Sequence, residues 1–251
     1  MEKSKGKPFT GFHLKLIAII TMMIDHVAHM FVSDLPMDLY QIMRLIGRIA
    51  MPIFCFMCVE GVLYTKNIKK YALRMFIFAV ISEIPFNLLS TRGANIKNIE
   101  NQNVMWTLLF GILMLYAIEQ GKKYSEAMHV TALIVAPLIA CVLAHYMKTD
   151  YGYFGILLIL ILYLTYKKPL LTVIGLGLMC TVVYALIYGV GMYFGGRYYP
   201  IPNEITGVLA AVPICLYSGK QGYYNKVVKY FFYAFYPAHI LIIAALKSVI
   251  H

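Results

Sequence analysis

The chain has 251 residues, 61% of them hydrophobic and only 13% charged, with a mean hydropathy of +0.73. Soluble domains are about 45–50% apolar and about 25% charged, and a chain of this size has too little interior to hide such an excess, so a soluble globular enzyme and a disordered chain are both excluded. The formal charge of +11, from 22 basic and 11 acidic residues, then marks the cytoplasmic side of a bilayer rather than a nucleic-acid surface.

In chain order, residues 1–13 form a basic segment with Lys3, Lys5 and Lys7, expected on the cytoplasmic side. Nine apolar runs follow, at roughly 14–32, 40–64, 71–89, 104–119, 127–147, 151–166, 170–194, 204–217 and 230–249. A crossing needs about 20 residues; the sixth and eighth runs are short and read as crossings or as re-entrant segments. The first run carries Asp25 and His26 and lacks a small-residue cleavage pattern, so it reads as a retained helix rather than a signal peptide. Turn-forming stretches such as Asp34-Leu35-Pro36, Thr91-Arg92-Gly93 and Gly195-Gly196-Arg197 separate the runs. Cys55, Cys58, Cys141, Cys180 and Cys215 all lie in apolar runs, are odd in number, and read as small buried side chains rather than a disulfide framework or metal site. No repeat and no long loop is evident. The expectation is one all-α, polytopic membrane helix bundle over 1–251, with about nine transmembrane helices and the N-terminus inside. That orientation assigns thirteen lysines to inside segments against five basic residues outside.

Charges inside the spans carry the functional signal, because each costs roughly 2.5–3.5 kcal/mol at a helix centre. Asp25, Arg44, Arg48, Glu60 and Glu83 lie in the first three runs. By depth, Asp25, His26, Arg44, Arg48, Glu83, Asn87, Asn103, Asp150 and His239 converge on one mid-to-outer level, whereas Glu60 lies near the inner end. Arg44 and Arg48 are four apart and share a helix face, so an anion must lie against them; Asp25 and Glu83 are nearest in depth. His26 is the best general-base candidate. Asp25 is rotated about 100° from it and shares a face with His29 instead, so Glu83, Asn87 or another neighbour is expected to orient His26. His239 follows Pro237, a kink that suits either a site wall or packing. The bland alternative for the cluster is a salt-bridge core. At the inner side, Gly219, Lys220 and Gly222, with Lys226, form a basic glycine-bearing loop suited to phosphates. The same buried charges also suit a proton-coupled multi-pass transporter, although no internal repeat of the kind many transporters show is present.

The stretches Leu16-Ile17-Ala18-Ile19-Ile20-Thr21-Met22-Met23-Ile24-Asp25-His26, Met43-Arg44-Leu45-Ile46-Gly47-Arg48-Ile49-Ala50-Met51-Pro52-Ile53-Phe54 and Val59-Glu60-Gly61 resemble the TraX family of integral membrane proteins. So do Ser82-Glu83-Ile84-Pro85-Phe86-Asn87, Gln102-Asn103-Val104, Asp150-Tyr151-Gly152, Gly219-Lys220-Gln221-Gly222 and Tyr236-Pro237-Ala238-His239. The family's named activity is N-terminal acetylation of conjugative pilin, and it is similar to membrane acyltransferases that carry acetyl groups from cytosolic acetyl-CoA to acceptors across the bilayer. The resemblance implies a multi-pass cell-membrane acetyltransferase with acetyl-CoA as donor and no metal. The acceptor would be a peptide N-terminus or a small amine or hydroxyl, reached from the membrane or its outer side; nucleic acid is not an expected partner. It implies His26 as base, Arg44, Arg48 or Asn103 at the oxyanion, and Asp25 and Glu83 fixing the arginines. A basic residue eleven positions before the histidine is usual in the wider group; here it is Lys15 where arginine is usual. Together with Gly219, Lys220, Gly222 and Lys226, it is the candidate contact for CoA phosphates.

Overall fold

The computed structural model describes residues 6–93 and 100–250; Lys3, Lys5 and Lys97 lie outside them. Helix α1 (Gly11–Met30) starts at Thr10, whose side chain and the His13 ring cap the first turn reciprocally. The second apolar run forms one span, Met37–Tyr64, interrupted at residues 48 and 49. It divides into α2 (Met37–Gly47) and α3 (Ala50–Tyr64). The third is α4 (Ile68–Ile81) and α5 (Glu83–Ser90), bent by 48° at Ser82. Asn103 and Ser125 cap α6 (Val104–Tyr124) and α7 (Glu126–Tyr146) through their side chains. A shorter α8 (Gly152–Leu164) follows, then α9 (Pro169–Leu178), a π turn over Met179–Val183 and α10 (Tyr184–Tyr188).

The seventh run departs most from expectation. Its helix stops at Tyr188, and residues to 199 form a hairpin of β1 (Met192–Phe194) and β2 (Arg197–Tyr199). The turn residues Gly195 and Gly196 have φ of +58° and +71°, the left-handed pair that a two-residue hairpin needs and that glycine adopts freely. A 3₁₀ turn over Ile205–Ala210 and α11 (Ala211–Cys215) lead to α12 (Lys226–Ile250).

With α2–α3 (Met37–Tyr64) and α9–α10 (Pro169–Tyr188) each taken as one span, six helices among the described residues are long and apolar enough to cross a bilayer, or seven if the bent α4–α5 pair is one span. The expected nine is corrected accordingly: Gly152–Leu164 and Ile205–Cys215 are apolar but too short, because hydropathy marks apolar runs and not the length of helix formed. The fold remains an almost all-helical, multi-pass membrane bundle, with the hairpin as an addition. The core gathers fully buried side chains of α1 (Leu14, Ala18), α3 (Ile53, Val59), α6 (Ile112, Leu115, Ile118) and α8 (Phe154, Ile156, Leu158). Helix α8 is apolar on every side because it is enclosed by α3, α6, α7 and α9. Exposed Ile134, Leu138, Leu170, Leu186 and Val249 on the outer helices face where lipid would lie.

The chain alternates between two ends. One is lysine-rich: Phe9 and Gly11 donate to Leu216 and Lys220 carbonyls, and Lys167 donates to the Tyr64 hydroxyl. The opposite end collects the α1–α2 turn, the loop before α6, the α7–α8 turn and the hairpin.

Candidate active site

A cavity of about 430 Å³ lies towards the opposite end, walled by α1, the α2–α3 break, α5, the start of α6 and the α7–α8 turn. Asp25, His26 and His29 face it from α1, with Arg44 and Arg48 from α2 and its C-terminal boundary. Asp25 is buried and divides its carboxylate between the two guanidiniums: Arg48 Nη2 donates to Oδ1 at 2.5 Å and Arg44 Nη1 to Oδ2 at 2.7 Å. Gly47 makes this approach possible, because a Cβ there would overlap the Asp25 side chain. Arg44 remains the more exposed of the pair, at 26% against 11% for Arg48, and borders the cavity.

His26 meets His239 of α12. Their Nδ1 and Nε2 atoms are 2.7 Å apart, with nearly parallel rings at a centroid distance of 4.9 Å. His239 Nδ1 lies 2.6 Å from the Phe235 carbonyl, so that nitrogen is the N–H donor. In a neutral ring, its Nε2 is then an acceptor. His26 Nδ1–H donates to it, which leaves the lone pair on His26 Nε2. The partner that orients His26 is therefore His239, not Glu83 or Asn87.

The α7–α8 turn supplies the remaining wall. Lys148 and Tyr151 both have left-handed backbones, with φ of +49° and +62°. They are held by Gln102 N–H to Lys148 O, Asp150 N–H to Gln102 O, and Thr107 Oγ1 to Asp150 O. Strain kept in place by such a network is a feature of functional sites. Tyr151 accepts from Arg48 Nη1 at 3.1 Å and lies against the guanidinium. Asp150 Oδ1 accepts the Tyr151 N–H, and burial keeps the Asp150 carboxyl above the ordinary carboxylate range.

Other predicted residues sit elsewhere. Glu83 does not meet the arginines: its Oε1 accepts from Asn103 Nδ2 at 2.5 Å and Trp106 Nε1 at 2.6 Å. Asn103 uses its amide on Glu83 and the Ala79 carbonyl and its Oδ1 on the Met105 N–H, so both amide hydrogens are engaged away from the cavity. Asn87 is buried in α5, where its carbonyl accepts from Ser90 and Thr91. Glu60 lies at the lysine-rich end, accepting from Tyr217 and Tyr166 hydroxyls.

The candidate phosphate contacts are also remote from the cavity. Lys15 rests over the Phe232 ring at 5.4 Å, eleven residues or about 16 Å along α1 from His26. Lys220 and Gln221 use their carbonyls to cap α1, Gly222 packs on Thr10, and Gly219 has a φ of +74°. Lys220 and Lys226 are exposed.

One buried acid escaped the sequence reading. Glu204 is wholly buried, with Oε2 3.5 Å from Arg48 Nη1. It sits at the boundary of the eighth apolar run, where a charge reads as the outer end of a crossing.

Residues 11–247 match the family described as TraX protein. "Probable fimbrial assembly protein FimC, serogroup H1" of Dichelobacter nodosus is 28% identical over 258 residues, covering 97% of this chain and 98% of that protein. "Uncharacterized protein RP591" of Rickettsia prowazekii (strain Madrid E) is 30% identical over 136 residues, covering 53% of this chain and 48% of that protein. No solved structure matches. With the match spanning nearly every helix that walls the cavity, the chain belongs to the TraX family of membrane proteins.

Proposed function

We propose that this protein is a cell-membrane acetyltransferase that moves an acetyl group from acetyl-CoA to an amine or hydroxyl acceptor. The observation that carries the reading is the His26–His239 contact at the cavity wall. That contact leaves the His26 lone pair on Nε2, and His26 and Arg44 border the same cavity. His26 Nε2 takes the acceptor's proton as the acceptor attacks the thioester carbonyl carbon. The oxyanion develops against Arg44. His26 then returns the proton to the departing sulfur as the C–S bond breaks, giving CoA-SH and the acetylated acceptor. Asp25 holds the arginines; Asn103, engaged elsewhere, has no part in this scheme.

The seam between α1 and α12 supports a route for the donor. Lys15 and Phe232 meet at its lysine-rich end and His26 and His239 further along. On this reading the lysine-rich end faces the cytosol, with Lys220 and Lys226 beside Gly219 and Gly222 receiving the CoA phosphates. The Dichelobacter relative's description as a fimbrial assembly protein supports an appendage-subunit N-terminus as acceptor, reached from the cavity side.

The test is thiol release from acetyl-CoA by purified protein in nanodiscs with a peptide amine, alongside mass spectrometry of the peptide. His26→Ala is expected to lower the rate on the order of 10²–10⁴-fold. Equal rates in both proteins would remove His26 from the role. Gradient-driven flux without thiol release would favour a proton-coupled transporter instead.

A further inference from the structure

The segment 195–207 lies along one face of α2. Gly195 N–H donates to Asp38 at 2.8 Å, Gln41 Nε2 to Asn203 Oδ1 at 2.8 Å, and Thr206 Oγ1 to the Leu45 carbonyl at 2.5 Å. Arg48 Nη1 faces Glu204 Oε2. Positions 38, 41, 45 and 48 are spaced three and four apart, a single helix stripe. The hairpin and its descending arm are therefore tethered at four successive points, and the last of them brings a carboxylate to the charged cluster.

That carboxylate is unusual. Glu204 is wholly buried, and neither of its oxygens has a hydrogen-bond partner among the described residues. The ionisable groups around it include Arg48, Arg44, Asp25, Tyr151, Tyr184, Cys55 and Cys180. Arg48 is the cation in contact. A buried carboxylate without hydrogen bonds is costly to keep, so its placement needs a reason, and charge balance supplies one. Asp25 alone faces two guanidiniums, and one carboxylate cannot neutralise both. Glu204 brings the ion-paired groups to two acids and two bases; Asp150, on the same cavity, is in no ion pair with them among the described residues.

We propose that Glu204 is a positioning residue: it anchors Arg48 from the side away from Asp25, so that Asp25 divides itself between both arginines and Arg44 stays aimed at the reacting carbonyl. This rests on the acetyltransferase reading above. Without the Glu204 charge, the two arginines compete for Asp25 alone. The excess positive charge beside His26 then opposes formation of the imidazolium during transfer.

The experiment compares wild type, Glu204→Gln and Glu204→Asp in nanodiscs, measuring kcat, KM for acetyl-CoA and the thermal midpoint. Glu204→Gln is expected to lose about tenfold in kcat, the equivalent of about one pKa unit of charge interaction, with KM for acetyl-CoA within about twofold. Glu204→Asp is expected to recover most of the loss. Wild-type kcat in Glu204→Gln, or an Asp variant no better than the Gln variant, overturns the proposal. The double variant Arg48→Gln/Glu204→Gln provides a readout independent of catalysis. Restoring charge balance should raise its thermal midpoint above that of Glu204→Gln, and a midpoint no higher overturns the pairing. If wild type itself releases no thiol, the acetyltransferase reading falls, and this thermal comparison still decides whether Glu204 balances Arg48.

Discussion

Gly47→Ala tests the packing that creates the charged site. In most helices the change is favourable by about 0.5–1 kcal/mol, because glycine loses more backbone entropy on folding. Here the new methyl would overlap the Cβ, Cγ and Oδ1 of Asp25. Either α1 and α2 separate, at an overpacking cost of about 1–3 kcal/mol, or the carboxylate turns away. Turning away weakens the charge-assisted bonds of 2.5 and 2.7 Å to Arg48 and Arg44, each worth about 1.5–3 kcal/mol. Set against the helix gain, the net loss is up to about 2.5 kcal/mol if the helices separate and about 2–5 kcal/mol if the carboxylate turns away. At about 2–4 °C per kcal/mol for a chain of this size, the thermal midpoint falls by up to about 10 °C in the first case and by about 4–20 °C in the second. Gly177→Ala is the matched control, because nothing lies within 4 Å of a Cβ there; it should leave the midpoint unchanged or raise it. The assay is thermal unfolding followed by intrinsic fluorescence in one detergent, with thiol release measured on the same samples. A Gly47→Ala protein as stable and active as wild type, or a Gly177→Ala protein equally impaired, would refute the close α1–α2 approach.

Three further outcomes follow from the geometry. Asn103→Ala removes an N-cap, strands the Ala79 carbonyl and withdraws one donor from Glu83, which keeps Trp106, so a loss of about 3–5 kcal/mol is expected in thermal or denaturant unfolding; a change under about 1 kcal/mol would contradict it. Asp150 binds its proton more tightly folded than unfolded because it is buried, so its contribution to stability falls as pH rises from about 3.9 through the raised value. Asp150→Asn should therefore be the more stable protein at pH 7, with the gap closing towards pH 4 in a thermal-midpoint series. Tyr217→Phe withdraws one hydroxyl from Glu60; it should cost about 1.5–3 kcal/mol in unfolding while turnover stays within twofold, since that cluster is at the end remote from His26.

The sequence carried the charged site further than its surroundings. Asp25, Arg44 and Arg48 were readable because intramembrane charges are expensive and the arginines fall four apart on one helix. Depth alone also brought His26 and His239 to one level. Depth gives no azimuth, however: it puts Glu83 level with the arginines when it faces Asn103 and Trp106, and it leaves Glu83, Asn87 and other neighbours open as the His26 partner, which is His239 of α12. The hairpin was hidden because Met192, Tyr193 and Phe194 extend an apolar run, although Gly195-Gly196 signalled a turn. Glu204 was missed for a related reason: the boundary of the short 204–217 run looks like a bilayer surface by hydropathy, whereas the tethered arm carries it to a buried position against Arg48.

The pairing of Asp25 with Arg44 and Arg48 also bears on how the chain enters a membrane. All three residues lie within the first 48, on a helical hairpin made before any other wall of the cavity exists. Inserted singly, α1 would carry a bare carboxylate into lipid and α2 two bare guanidiniums. Inserted together, they enter with most of that charge already cancelled. The surplus guanidinium charge then waits for residue 204, and the histidine pair for residue 239. The early chain is thus made tolerable to the bilayer well before it is competent, and a nascent chain halted before α12 would hold its ion pairs without a complete site.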